Sequence, residues 1–279
     1  MSARDTQSQS QGSASGAPLD LSWVREILGA TRLGNKFHCF EQIGSTNTHA
    51  RELAESAAAE GEVVIAESQT HGRGRLGRRW ESPPSTNLYF SIVLRPKLAP
   101  QHAAQITLMA AVAVADAVAS FIAQEVTIKW PNDILVDGRK LAGILTEACC
   151  NAGRVEYVIL GVGINVNTAI DSMPDDIRRG ATSLFDLTGK NVPRENVLHR
   201  LIRDLDRCYG VLEASGFDAL RPRWEARFNL RGKRVRAELD GQVVTGRACG
   251  IDRNGALVLE DENGMLKTII AGDVIPLER

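Results

Sequence analysis

Neither sign of charge dominates this chain. It carries 33 lysines and arginines against 34 aspartates and glutamates, for a formal net charge of −1. There is no global positive field to recruit nucleic acid, which weighs against that class of function. Cysteine is sparse and unpatterned: Cys39, Cys149, Cys150, Cys208 and Cys249 form no Cys-x-x-Cys pair. An odd count without metal-ligand spacing argues against a disulfide framework and for reduced thiols in a cytoplasmic protein. Cys149 and Cys150 read as strand-end packing. Long apolar runs are missing too, apart from residues 103–122. Gln105, Thr107, Asp116 and Ser120 interrupt that alanine-rich run, and a charge at mid-span costs roughly 2.5–3.5 kcal/mol on insertion. It reads as the buried helix of a soluble core, so no membrane association is expected. Residues 1–17 lack the apolar segment of a secretory signal and are expected to form a disordered tail. No internal repeat is evident.

Two nucleotide-binding fingerprints are also incomplete. Gly161-Val162-Gly163 begins like a dinucleotide motif, but Val166 stands where the third glycine belongs and no helix pattern follows. These glycines let the chain pass close to a ligand. Gly72 and Gly77 have P-loop spacing, but Arg78-Arg79 replaces the Lys-Ser/Thr pair.

What is present centres on residues 69–80. Gly72, Gly74 and Gly77 alternate there with Arg73, Arg75, Arg78 and Arg79, and no acidic residue intervenes. Glycines allow close backbone approach, successive N–H groups can cradle an anion, and guanidinium forks match phosphate oxygens. Trp80 adds a flat face for a purine or an apolar wall. On these residues alone, a loop closing on a small anion, a nucleic-acid backbone contact and a solvated basic loop all stand.

The length of 279 residues suits one large domain and a small one. A first helix near Leu21, Val24, Ile27 and Leu28 has Asp20 as its cap. Periodicity predicts helices over 46–59, with Gly61 as C-cap, over 103–122 and over 194–214. A short helix or turn is read at 181–187. Strands are predicted at 63–67, 88–95, 126–130, 134–136, 141–148 and 155–162. Past a charge-dense boundary near 223–231 come short strands at 235–239, 242–247, 257–260 and 267–270. Asp240-Gly241, Asn254-Gly255 and Asn263-Gly264 are hairpin signals between them.

Two further stretches bear on chemistry. Ser45, Thr46 and Asn47 stand at a helix start, where one can cap the helix and the others can hydrogen-bond an uncharged polar head such as a ureido ring. Lys129-Trp130-Pro131-Asn132-Asp133 precedes Lys140 through Gly143, and a hairpin brings Lys140 back near Lys129. Two lysines facing an arginine loop call for an anion between them; otherwise they are surface lysines.

Five motifs, taken together, resemble the biotin protein ligases. They are Ser-Thr-Asn at 45–47, Gln-x-x-Gly-Arg-Gly-Arg-x-Gly-Arg-x-Trp at 69–80, Lys-Trp-Pro-Asn-Asp at 129–133, Lys-Leu-Ala-Gly-Ile-Leu at 140–145 and Gly-x-Gly-Ile-Asn-Val-Asn at 161–167. Their order and spacing follow the family from about Gly44 onward. The resemblance implies an α+β fold, with a mixed β-sheet flanked by helices like that of class II aminoacyl-tRNA synthetases. It further implies a catalytic domain over 18–230 and a small SH3-like β-barrel over 231–279.

The implied activity is ATP-dependent formation of biotinyl-5'-AMP, followed by biotin transfer to a lysine of biotin carboxyl carrier protein. ATP enters with Mg2+, held largely by phosphates and water. The resemblance assigns biotin binding to Ser45, Thr46, Asn47, Gln69, Arg73, Gly74, Arg75, Lys140 and Gly143. It assigns ATP and adenylate binding to Arg73, Arg75, Arg78, Trp80, Lys129, Asn132, Lys140 and Asn165. Arg75, Lys140, Asp133 and Lys129 are the catalytic candidates, with Asp133 orienting or deprotonating the acceptor lysine. Some family members carry an N-terminal winged helix that binds DNA; the tail and single helix here lead us to expect a ligase without it and no specific DNA binding. A homodimer through the catalytic sheet is known among family members, and no patch in the sequence decides it. Lipoate ligases, which share the fold and adenylation chemistry, are the nearest alternative.

Overall fold

The computed structural model describes Gly16, residues 18–239 and residues 242–277. The expected tail, apart from Gly16, and the Asp240-Gly241 turn lie outside the described residues. Helix α1 (Leu21–Leu28) starts as its sequence predicts, with the Asp20 carboxylate accepting from the Ser22 amide at 3.0 Å. Strand β1 (Lys36–Ile43) escapes periodicity because it is a sheet edge, with Phe37 its single buried side chain. Helix α2 (Thr46–Glu55) stops earlier than predicted. Its C-cap is Ser56, and Gly61 instead opens the next strand.

Strands β2 (Glu62–Gln69) and β3 (Leu88–Leu94) are followed by helix α3 (Ala104–Ala119) and strands β4 (Val126–Lys129), β5 (Asp133–Val136), β6 (Arg139–Asn151) and β7 (Arg154–Ile164). They form a seven-stranded mixed sheet of order β1-β2-β3-β7-β6-β5-β4, in which only β1 and β2 are parallel. Short helices α4 (Asp175–Arg178) and α5 (Leu184–Thr188) lead to the long α6 (Arg194–Ser215) and to α7 (Arg221–Ala226).

Strand alternation divides the sheet into two faces. On β7, Val158, Leu160, Val162 and Ile164 enter the main core with α3 and α6. Tyr157 and Ile159 point the other way, into a smaller cluster with Ala50 and Ala54 of α2. Pro100–Ala119 is long and apolar enough to cross a membrane, yet it lies buried between the sheet and α6. Its one charge, Asp116, is met by Arg223 and by Arg227, the latter at 3.0 Å.

The C-terminal strands are β8 (Arg234–Leu239), β9 (Gln242–Ile251), β10 (Leu257–Glu260), β11 (Leu266–Ile269) and β12 (Val274–Pro276). Their order, β11-β10-β9-β8-β12, corrects the expected SH3-like β-barrel: this is an open antiparallel sheet. Among the described residues, the end strands β11 and β12 do not pair with each other. Closure needs end strands long enough to tilt and meet. Here they span four and three residues, and Pro276 on β12 has no N–H to offer.

This sheet packs onto the catalytic unit through one continuous core that includes Val235, Ile251, Leu257 and Leu259. The Trp130 indole donates to the Gly255 carbonyl at 2.9 Å, and the Gln105 amide donates to the Arg253 carbonyl at 3.0 Å. Gly255 has φ 89°, and a Cβ there would stand 2.4 Å from Leu108 Cδ1. Trp130→Phe strands a buried carbonyl, so it is expected to cost about 1–2 kcal/mol. The measurement is urea unfolding followed by fluorescence; an unchanged midpoint would show that this bond does not hold the C-terminal sheet.

Candidate active site

On the α2 side of the sheet, three positions carry no side chain. Gly143 pairs with Gly163 across β6 and β7, and Gly161 pairs with Leu145. All three glycines face the α2 side, by the alternation that sends their neighbours into the main core. A Cβ at Gly161 would lie 2.0 Å from Asn47 Oδ1. At Gly163 it would lie 2.5 Å from Trp80 Cε2, and at Gly143 2.9 Å from Trp80 Cζ3. The glycine pair read as a close approach to a ligand is thus first a bed for two of the protein's own side chains.

The polar trio stands at the start of α2. Ser45 occupies the N-cap position, but its buried hydroxyl makes no capping bond. Capping therefore accounts for none of its burial. The Thr46 amide donates to Gln69 Oε1 at 2.9 Å, and Gln69 Nε2 donates to Ser82 Oγ at 3.0 Å. Ser91 Oγ lies 2.8 Å from Thr46 Oγ1 and 2.6 Å from Asn47 Oδ1. Asn47 Nδ2 donates to Glu147 at 2.8 Å. Its amide orientation is set by these partners, which leaves the oxygen as the atom with acceptor capacity to spare.

Residues 72–80 fold as a small hairpin, the flap. Gly74 N donates to Arg78 O at 2.7 Å, and Trp80 N donates to Gly72 O at 3.0 Å. The tip is a three-residue turn, with Leu76 in the left-handed region at φ 56° and 67% exposed. Arg73 forks onto Glu147 at 2.9 and 3.0 Å, Arg78 pairs with Asp273, and Arg79 pairs with Glu81 at 3.2 Å. Among the described residues, Arg75 alone of the flap arginines meets no carboxylate within bonding distance. It donates to Asn132 Oδ1 at 3.1 Å and to Gly272 O at 3.2 Å. Burial pushes its guanidinium below the usual value, against the opposing charges of Asp273 and Asp133. Asp273 is raised by burial, but the Arg78 hydrogen bond and the charges of Lys129, Arg78 and Arg75 bring it below the usual carboxylate value.

Lys140 Nζ lies 2.6 Å from Asp133 Oδ1 and 5.4 Å from the centre of the Trp80 ring. Strand β5 separates β4 from β6, and Lys140 meets Asp133, whose partner in the β4 ladder is Lys129. Asn132 Nδ2 donates to Ile144 O at 2.9 Å, which aims its oxygen at Arg75. Asn165 Nδ2 donates to Thr182 O at 3.0 Å.

Two clefts result. The first is lined by the trio, Gln69, Arg73, Gly74, Arg75, Asn132 and Gly143. The second is bordered by Arg78, Asn165, Met173 and Ile177. Trp80 and Lys140 belong to both and form the wall between them. Lys129 and Asp133 line neither. Sequence reasoning missed Ser91, Glu147, Met173, Ile177 and Asp273. Only Glu147 left a signal: it continues the every-second-residue row of Gly143 and Leu145.

Comparison with known proteins follows the same division. Residues 39–165 match the Biotin/lipoate A/B protein ligase family, and residues 231–275 match the Biotin protein ligase C terminal domain. The chain is 39% identical over 256 residues to the bifunctional ligase/repressor BirA of Bacillus spizizenii, covering 92% of this chain and 78% of that one. It is 38% identical over 267 residues to the biotin–[acetyl-CoA-carboxylase] ligase of Mycobacterium tuberculosis, covering 93% and 96%. The biotin protein ligase of Aquifex aeolicus, solved in complex with biotin and ATP, superposes with a TM-score of 0.74 at 27% identity, over 88% of this chain and 100% of that one. Sequence motifs, fold and these matches agree: the chain belongs to the biotin protein ligase family.

Proposed function

We propose that this protein activates biotin with ATP to give biotinyl-5'-AMP and pyrophosphate, then transfers the biotinyl group to a lysine of a biotin carboxyl carrier protein. The observation that carries the reading is the pair of unlike clefts meeting at Lys140 and Trp80. The first offers buried hydroxyls and an oriented amide, suited to the N–H and C=O groups of a ureido ring. The second is the roomier and has apolar walls in Met173 and Ile177 beside Trp80, suited to an adenine.

In this reading Ser45, Thr46 and Asn47 hold the ureido ring, and the biotin carboxylate lies toward Arg75 and Lys140. The carboxylate oxygen attacks the α-phosphorus and pyrophosphate leaves. Negative charge gathers on that phosphorus, so positioning and fixed cations do most of the work. Arg75 suits this role because its charge is opposed only by neutral oxygens at bonding distance. Lys140 is steered by Asp133. The remaining cations, Arg73, Arg78 and Lys129, add to the field from further out. Mg2+ enters as part of the MgATP substrate and offsets phosphate charge.

In the second half-reaction the carrier lysine attacks the acyl carbon and AMP leaves. A free lysine with a pKa near 10.4 is neutral only about once in a few thousand at pH 7. Asp133, already beside an ammonium group, orients or deprotonates the incoming amine. Lipoate fits the first cleft less well, since its dithiolane offers no hydrogen-bonding group to the buried Ser45 hydroxyl or to the spare acceptor capacity of Asn47 Oδ1.

Pyrophosphate release is the direct assay. It is expected with ATP and biotin and not with ATP and lipoate; release with lipoate alone would overturn the substrate assignment. For Asp133→Ala, pre-formed biotinyl-AMP is expected to pass to the carrier about 100-fold more slowly, the scale of a lost general base. An unchanged single-turnover transfer rate would remove Asp133 from the mechanism.

A further inference from the structure

We infer that Glu147 and Asp273 are positioning residues that latch the two ends of the flap, Glu147 through Arg73 and Asp273 through Arg78. The inference rests on the ligase reading above. Of the three carboxylates that meet flap arginines, Glu81 belongs to the segment that follows the flap and ties it to nothing else. Glu147 comes from β6, and Asp273 from the turn before β12. The flap is thus fastened at one end to the catalytic sheet and at the other to the C-terminal sheet.

Each fastening has a second anchor. Glu147 Oε2 also accepts from Asn47 at 2.8 Å, so the carboxylate that holds Arg73 also orients the amide of the polar trio. Gly272, next to Asp273, accepts from Arg75 at 3.2 Å. Gly272 has φ 131°, and a Cβ there would stand 2.4 Å from the Glu238 carbonyl carbon's oxygen, so this turn keeps its shape only with glycine. The two latches leave Arg75 between them, aimed by neutral oxygens and free to meet an incoming anion.

Both latch pairs are partly exposed, with Arg73 at 40% and Arg78 at 63%. Ion pairs that exposed add little to global stability. They suit a contact that opens and closes, and a closed flap has a clear use. Water reaching the mixed anhydride would attack its acyl carbon and release biotin and AMP, so enclosure protects the intermediate.

The test uses the full chain with Glu147→Gln, Asp273→Asn and Asp273→Glu. Without an acceptor, steady pyrophosphate release requires each adenylate to be lost before the next forms, so that rate reports flap opening. Glu147→Gln and Asp273→Asn are expected to raise the ratio of acceptor-free to acceptor-dependent pyrophosphate release several-fold, at an unchanged urea midpoint. Asp273→Glu is expected to restore the wild-type ratio. Limited trypsin digestion of the unliganded protein gives a readout independent of activity: cleavage after Arg75 and Arg78 is expected to quicken in both charge-removing variants. Wild-type leakage and wild-type cleavage in both would overturn the latch. A wild-type protein that releases no pyrophosphate with biotin would overturn the ligase reading instead, and the trypsin arm would still decide the latch.

Discussion

The missing side chains at Gly143, Gly161 and Gly163 are the constraint from which the site follows. An antiparallel sheet sends alternate residues to opposite faces, and the α3 face of this sheet is filled with Val, Leu and Ile. On the other face the row is interrupted, and Asn47 and Trp80 settle into the gap at distances that no Cβ would tolerate. Asn47 brings the start of α2 down onto the sheet. Trp80 brings the end of the flap down beside it and divides the space into two clefts. Lys140, on the strand that carries Gly143, then lies at the point where those clefts meet.

Charge is distributed with the same economy. The four arginines of the flap's sequence suggest a diffuse positive surface, yet three of them end on carboxylates. Arg75 is the flap cation aimed by neutral oxygens alone, and Lys140, held by Asp133, stands where the two clefts meet. Positive charge is therefore focused at one place, where a carboxylate and a phosphate would meet. The C-terminal sheet takes part in that focusing through Gly272 and Asp273, so the two parts of the chain share one site.

Much of this was readable in the sequence. The long helix α6 begins at the predicted residue, because Val197, Leu198, Leu201, Ile202 and Leu205 repeat at helical spacing and all are buried. The trio, the flap and Lys140 were marked by residue type, and they come together. The misses have physical causes. Strand β1 is an edge with one buried side chain, so it shows no alternation. Strand β12 has three residues, too few for a pattern. The barrel was expected from the family resemblance, but closure depends on how the end strands meet, which the motifs carrying that resemblance do not encode. The partners of the flap arginines were hidden because Glu147 and Asp273 lie 74 and 195 residues away from them along the chain.

A crystal structure with bound biotinyl-5'-AMP tests the central claim most directly. The account predicts the ureido ring against Ser45, Thr46 and Asn47, the adenine beside Ile177 and Asn165, and the phosphate between Arg75 and Lys140 at the edge of Trp80. An adenylate seated elsewhere, or a flap displaced from the glycine bed with the ligand bound, would contradict it.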